Sequence, residues 1–153
     1  MKRKELARTV GIVFQNPAHQ FVTTGVLAEV VKSLELWEKK LMPRERTEKA
    51  LHLLSLYGLE KYTGYSPFML SQGQQRRLAV LTVLCGGQKV LLLDEPTYGQ
   101  DGRATRTVME HVASLVEAER VTVLFTTHEK DVAFQYAHAL FRCEEGGIVP
   151  WKA

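Results

Sequence analysis

The chain has 153 residues, of which 45% are apolar and 24% charged, and a formal net charge of +3. That is the make-up of a globular domain large enough for one core. The mild, mixed charge gives no footing for nucleic-acid binding, which needs clustered Lys and Arg. The basic start "MKRKELAR" lacks the apolar stretch of a signal peptide, and the longest apolar run, 78–85, is too short to cross a bilayer.

In chain order, "TVGIVF" (9–14) is a short β-branched run that reads as a buried strand, broken by "QNPAHQ". Residues 24–42 carry Val26, Leu27, Val30, Val31, Leu34, Leu36 and Trp37 at mostly helical spacing. "PRERTEKALHLLSLYG" predicts a helix with Pro43 in its first turn. Its buried stripe is Ala50, Leu51, Leu54 and Tyr57, and Gly58 stops it. Residues 63–69 read as a loop. Ser71 followed by Gln74 is a capping-box pattern, which places a helix start at Ser71.

Val90-Leu91-Leu92-Leu93 reads as a strand buried on both faces, of the kind found in parallel sheets. A helix follows over 102–119, with Val108, Met109, Val112, Leu115 and Val116 on one face. "VTVLFTT" (121–127) is another buried strand, "EKDVAFQYA" a short helix, and 139–150 a hairpin turning at Gly146-Gly147. Alternating strands and helices in the second half predict α/β layering. Residues 21 to about 70 are all helix and loop and read as an inserted helical lobe. Cys85 and Cys143 both sit in apolar patterns and are expected to be buried free thiols in a reducing compartment.

The strand 90–93 runs directly into Asp94 and Glu95. Two carboxylates at the carboxyl edge of a parallel sheet stand where ligands bind in open α/β folds. Hard oxygen donors there suit Mg²⁺, which in turn holds nucleotide phosphates, and Glu95 could act on an attacking water. The plainer alternative is a strand that ends in a polar loop. "LSQGQ" (70–74) adds Ser71 and free backbone N–H groups at a helix start, with Gly73 allowing close approach of a phosphate. It also reads as an ordinary capped helix. His128, in "TTH", and Gln15, in "VFQNP", fall at the ends of two further strands. Each alone reads equally as a structural residue.

Taken together, Gln15, "LSQGQQRRLA", "VLLLDEPT", "YGQD" and "TTH" stand in the order and spacing of the nucleotide-binding subunits of ABC transporters, which the chain resembles over nearly its whole length. "GIVFQNPAHQF" is most similar to the energy-coupling-factor importers of vitamins and of transition-metal ions such as cobalt and nickel. The resemblance implies a P-loop NTPase-like α/β fold with an inserted helical subdomain, at about 21–85, and core strands at about 9–15 and within 88–153. It implies ATP and Mg²⁺ as cofactors. Gln15 resembles the Q-loop glutamine near the metal, Asp94 the magnesium-binding aspartate, Glu95 the catalytic glutamate and His128 the switch histidine. Asp101 resembles the D-loop aspartate, and Ser71, Gly73 and Gln74 the signature that caps ATP held by the opposite subunit. The implied partners are a second ABC ATPase subunit and a transmembrane coupling subunit, and no nucleic acid. The implied place is the cytoplasmic face of the membrane.

Two departures from the family pattern are small. Gln72 stands where LSGGQ has glycine, and Gln100 where the D-loop commonly has leucine. A larger one is that no G-x-x-x-x-G-K-[ST] phosphate loop occurs in these residues; "GLEKYTG" (58–64) has the wrong order and follows a helix. The expectation is therefore a carboxyl-terminal portion of an importer ATPase, lacking the first strands and the phosphate loop and inactive alone. The alternative is a pseudo-ATPase that docks on a complete partner. A DNA-repair or chromosome-organising ATPase would carry a coiled coil between Gln15 and Ser71, where no sustained heptads occur.

Overall fold

The computed structural model describes residues 3–151; Met1, Lys2, Lys152 and Ala153 lie outside the described residues. Residues Arg3–Thr9 of the basic start form helix α1, with Glu5 in its first turn, where the helix dipole favours an acid. It leads into strand β1 (Val10–Val13). Helices α2 (Val26–Trp37), α3 (Pro43–Leu56) and α4 (Gln72–Leu84) follow, then β2 (Val90–Leu93), α5 (Gly102–Glu119), β3 (Thr122–Phe125) and α6 (Lys130–Tyr136). Strands β4 (Phe141–Glu144) and β5 (Gly147–Pro150) close the chain.

The main sheet is parallel, in the order β1-β2-β3, with Val13, Leu93 and Phe125 in one register row and Gly11, Leu91 and Val123 in another. These rows face the core with α4 and α5. Glycine suits that position, because a Cβ at Gly11 would lie 2.1 Å from Val83 Cγ1 on α4 and one of the two would have to shift. The intervening row, Ile12, Leu92 and Leu124, faces outward, and Ile12 and Leu124 are exposed. The expectation of strands covered on both faces is thus corrected. An apolar run of this length carries no signal for which of its faces a helix covers.

Helices α2, α3 and α4 pack together through Val26, Val30, Leu34, Ala50, Leu54, Leu78 and Leu81, all fully or almost fully buried. Leu36 and Leu51, expected on the buried stripes, are exposed, because each helix offers the core a narrower face than its apolar content suggests. Pro43 opens α3, and Gly58 follows it in the left-handed region at φ 63°, as expected. Glu29, a buried acid on α2, accepts from the N–H groups of Val22 (2.6 Å) and Thr23, and so fixes the chain entering the helix.

The hairpin turns at Glu145-Gly146, one residue earlier than expected, with Gly146 at φ 97°. Both of its strands are exposed and form a separate two-stranded sheet. Cys143, on β4, is therefore exposed and not buried. Cys85, at the end of α4, is half-buried, and both thiols are free. No helix among the described residues is long and apolar enough to cross a membrane.

Candidate functional site

Because β1, β2 and β3 are parallel and in register, the segments leaving them emerge at one edge of the sheet. The ladder continues one step past each strand: Asp94 N donates to Val13 O at 3.1 Å, and Thr126 N to Leu93 O at 3.0 Å. This sets Gln15, Asp94-Glu95 and Thr126–His128 side by side.

The two loops beyond β2 and β3 interlock. Thr126 Oγ1 donates to Asp94 Oδ1 at 2.9 Å and accepts from Glu95 N at 3.0 Å. His128 Nδ1 lies 3.0 Å from Glu95 Oε2, and the edge of Tyr98 meets the His128 ring at a centroid distance of 6.3 Å. Thr97, 1% exposed, donates from Oγ1 to Glu129 Oε1 at 2.6 Å. Glu95 sits in the left-handed region at φ 45°, a conformation that costs a non-glycine residue roughly 1–3 kcal/mol and clusters at functional sites. Here the bond from its own N–H to Thr126 holds it. The His128 side chain is 64% exposed and that of Glu95 24%, so the pair faces solvent and can exchange its partner for a ligand.

Gln15 lies beyond the end of β1 with its side chain exposed. Its backbone is held by Arg76, a buried residue of α4 whose Nη1 donates to Phe14 O at 3.0 Å and Nη2 to Gln15 O at 2.7 Å. Burial pushes the Arg76 guanidinium pKa down from its ordinary value, and the charge of Asp94 opposes that shift. Gln20 closes the same segment, accepting from Phe14 N at 2.8 Å and donating to Ile12 O at 3.0 Å, where a neighbouring strand would otherwise bond.

Ser71 is the N-cap of α4. Its Oγ accepts from Gln74 N at 3.4 Å, while Ser71 N donates to Gln74 Oε1 at 2.9 Å, so the capping box is formed. Gln74 Nε2 donates to Tyr62 Oη at 2.9 Å. Gly73 lies in the first turn, and a Cβ there would meet nothing within 4 Å. Asp101 is the N-cap of α5, its Oδ1 accepting from Arg103 N at 3.0 Å and Ala104 N at 2.8 Å.

The structure thus joins Asp94 to Glu95 through Thr126 and Glu95 directly to His128, and brings Gln15 alongside through Arg76. It places Ser71, Gly73 and Gln74 on a separate helix start and Asp101 on another. Sequence reasoning missed Thr126, Thr97, Glu129 and Arg76. Arg76 shares a helical face with Ala79, Val80 and Val83, so its place on the inner stripe was available as a signal. An open cavity of about 420 Å³ lies elsewhere, between α2, α3 and α4, lined by Trp37, Tyr57 and Cys85 among others. None of the strand-end residues lines it.

The donor set fits a magnesium–nucleotide better than a caged metal. Among the described residues no cluster of three or more His, Cys, Asp or Glu side chains could hold a metal ion. Mg²⁺ commonly takes one or two carboxylates and completes its shell with water and phosphate, which a single exposed Asp94 at a strand end suits.

Residues 1–98 match the family model described as "ABC transporter". The chain is 43% identical over 147 residues to the Bacillus subtilis protein named "Putative HMP/thiamine import ATP-binding protein YkoD", covering 96% of this chain and 26% of that one. It is 36% identical over 146 residues to the energy-coupling factor transporter ATP-binding protein EcfA2 of Bacillus subtilis, covering 95% and 52%. The chain therefore spans about half of EcfA2 and a quarter of YkoD. Among solved structures, cbiO1 from Clostridium perfringens, part of the ABC transporter complex cbiONQ, superposes with a TM-score of 0.84 at 29% identity, covering 97% of this chain and 59% of that one.

Proposed function

This chain belongs to the ABC transporter family, and from that premise we propose that it supplies the acid edge of one ATP site and the signature face of another, which together energise uptake of a small solute, such as a vitamin or a transition-metal ion. The observation that carries the proposal is the bonded set Asp94–Thr126–Glu95–His128 at the edge where three parallel strands end.

In this proposal Asp94, with Gln15 beside it, holds Mg²⁺, which when bound neutralises phosphate charge. Glu95 Oε2 takes the proton of an attacking water, and His128 Nδ1 orients that carboxylate until the site fills. Ser71, Gly73, Gln74 and Asp101 serve the face that meets the nucleotide of a second ATPase subunit. Gly73 supports this. Nothing in the chain's own packing requires glycine there, and glycine within a helix costs roughly 1 kcal/mol relative to alanine. A ligand approaching from outside the chain gives the missing side chain a reason. The exposed Val22, Phe68 and Met69 near the Gln15 segment, with Phe21 and Phe68 edge-to-face at 6.1 Å, suit a helix from a transmembrane coupling subunit. Residues from about 21 to 85 then act as the helical subdomain, and the whole sits peripherally at the cytoplasmic face of the membrane.

Since these residues contain no G-x-x-x-x-G-K-[ST], the chain alone is proposed to bind Mg-ATP weakly and not to hydrolyse it. The test is to mix it with an importer ATPase subunit cut back to its phosphate-loop segment, so that the acid edge completing that segment's site can come only from this chain. Hydrolysis should rise on mixing, and Glu95→Gln should abolish the rise by about 10²-fold or more. No rise, or a rise indifferent to Glu95, overturns the proposal. So does micromolar binding of a fluorescent nucleotide by the chain alone.

A further inference from the structure

Each polar side chain from Gln72 to Arg77 reaches a different segment. Gln74 Nε2 donates to Tyr62 Oη at 2.9 Å, and Gln75 Nε2 to Pro67 O at 3.1 Å. Arg76 donates to the Phe14 and Gln15 carbonyls, and Arg77 Nη1 to Tyr57 O at 2.9 Å. These bonds run back to the helical part of the chain and to β1. Gln72 runs forward instead, its Oε1 accepting from Gln100 Nε2 at 2.6 Å.

The position of that bond gives it consequence. Gln72 is the first helical residue of α4, next to its N-cap Ser71. Gln100 immediately precedes Asp101, the N-cap of α5, in the loop that begins with Asp94 and Glu95. One side-chain amide pair therefore spans two helix starts and links the signature segment to the acid loop. Gln72 and Gln100 are also the two positions where the signature and D-loop depart from their usual residues. With glycine at 72 there is no acceptor, and with leucine at 100 there is no donor. Either usual residue alone leaves the other side-chain amide without this partner.

We propose that Gln72 and Gln100 are a matched positioning pair that fixes the Ser71–Gly73 helix start relative to the Asp94–Asp101 loop. The pairing stands on the geometry alone; its effect on hydrolysis rests on the ATPase reading above. A Gln72 side chain free to swing would stand over the face offered to a nucleotide. Bonded to Gln100 it is folded back onto its own chain, so the glutamine is accommodated without obstructing that face.

The experiment compares Q72G, Q100L and Q72G/Q100L in two measurements. In the chain alone, amide exchange is followed over 71–76 and 97–104. Each single variant should speed exchange by roughly two- to tenfold in the segment that was not mutated, and the double variant should add little further. Effects confined to the mutated segment, or additive effects, overturn the pair. In the mixture with the phosphate-loop segment, each single variant should lower kcat by a similar factor with KM and the melting temperature little changed, and the double variant should recover toward wild type. A loss in the double variant equal to the sum of the two single losses overturns the positioning role. If wild type shows no hydrolysis in any mixture, the ATPase reading fails, and the exchange data still decide the pair.

Discussion

Thr126 Oγ1 bonds both members of the acid pair, donating to the Asp94 carboxylate and accepting from the Glu95 N–H. With the His128–Glu95 and Thr97–Glu129 bonds, it ties the loop after β3 to the loop after β2, and it alone of the three touches both acids. Thr126→Val keeps the shape and removes both bonds. The expected cost is about 1–2 kcal/mol in urea unfolding, since one bond is to a charged group and both are near solvent. In the mixed ATPase assay kcat should fall more than KM rises, because Glu95 loses the support of its left-handed conformation. Thr126→Ser should restore most of both. Equal behaviour of the Val and Ser variants would mean that the hydroxyl has no positioning role.

Arg76 presents the opposite balance, a buried cation whose bonds go to the carbonyls of Phe14 and Gln15. Arg76→Met relieves the burial of a charge but leaves two strand-end acceptors without donors. The segment is solvent-facing, so water takes part of that load. A loss of about 1–3 kcal/mol is expected, with faster amide exchange over 14–20. Arg76→Lys should be intermediate, because an ammonium cannot reproduce the planar fork that spans both carbonyls. A Met variant as stable as wild type would show that the two bonds merely offset the desolvation of the charge.

Gly11→Ala is predicted to destabilise by about 1–3 kcal/mol through overpacking, because its Cβ would meet Val83 Cγ1 at 2.1 Å. The pair tests itself. Val83→Ala removes the obstructing methyls at a modest cost of its own, and G11A/V83A should be more stable than G11A. If the double variant is as weak as the sum of the singles, the contact between β1 and α4 is not the cause.

The strand-end acids, the capping box at Ser71 and the stop at Gly58 were legible because each is local: a residue type, a fixed spacing, and a neighbour within a turn. Thr126 was not, since its carboxylate partner lies 32 residues away, and for Arg76 only its place on the inner stripe was legible, its carbonyl partners lying 62 and 61 residues away. A threonine or arginine looks the same whether it is solvated or bridging two strands. The exposed outer face of the sheet was illegible for a related reason. Ile12, Leu92 and Leu124 are as apolar as the rows beside them, and only the packing of α4 and α5 decides which row is covered. The sequence motifs did bring Asp94, Glu95 and His128 to one sheet edge, because in parallel strands three carboxyl ends share it by construction.

The two thiols should separate cleanly in labelling. Cys143 is exposed on β4, while burial pushes the Cys85 thiol up to about 12. At pH 8 only about one Cys85 in 10⁴ is then thiolate, the reactive form. One fast equivalent is expected with a thiol reagent under native conditions, and the second only on unfolding. Replacement of Cys143 by serine should abolish the fast phase, and a fast phase surviving that replacement would place the reactivity at Cys85.

His111 supplies a pH dependence whose sign follows from its surroundings. It lies on α5 against the ring of Tyr57 at 5.2 Å, with Nε2 buried and unpartnered, and burial followed by the nearby Arg77 pushes its pKa below the ordinary value near 6.5. The unfolded chain therefore binds a proton that the folded chain refuses. Stability contributed by keeping this ring neutral is present above the unfolded pKa and is lost as pH falls through that value toward the lower folded one. Urea midpoints should drop below about pH 6.5, with the acids adding their own losses only at lower pH. His111→Phe keeps the edge contact with Tyr57 and cannot titrate, so its midpoint should stay flatter between pH 7 and 5.5. A variant whose midpoint falls in parallel with wild type over that range would assign the loss to other groups.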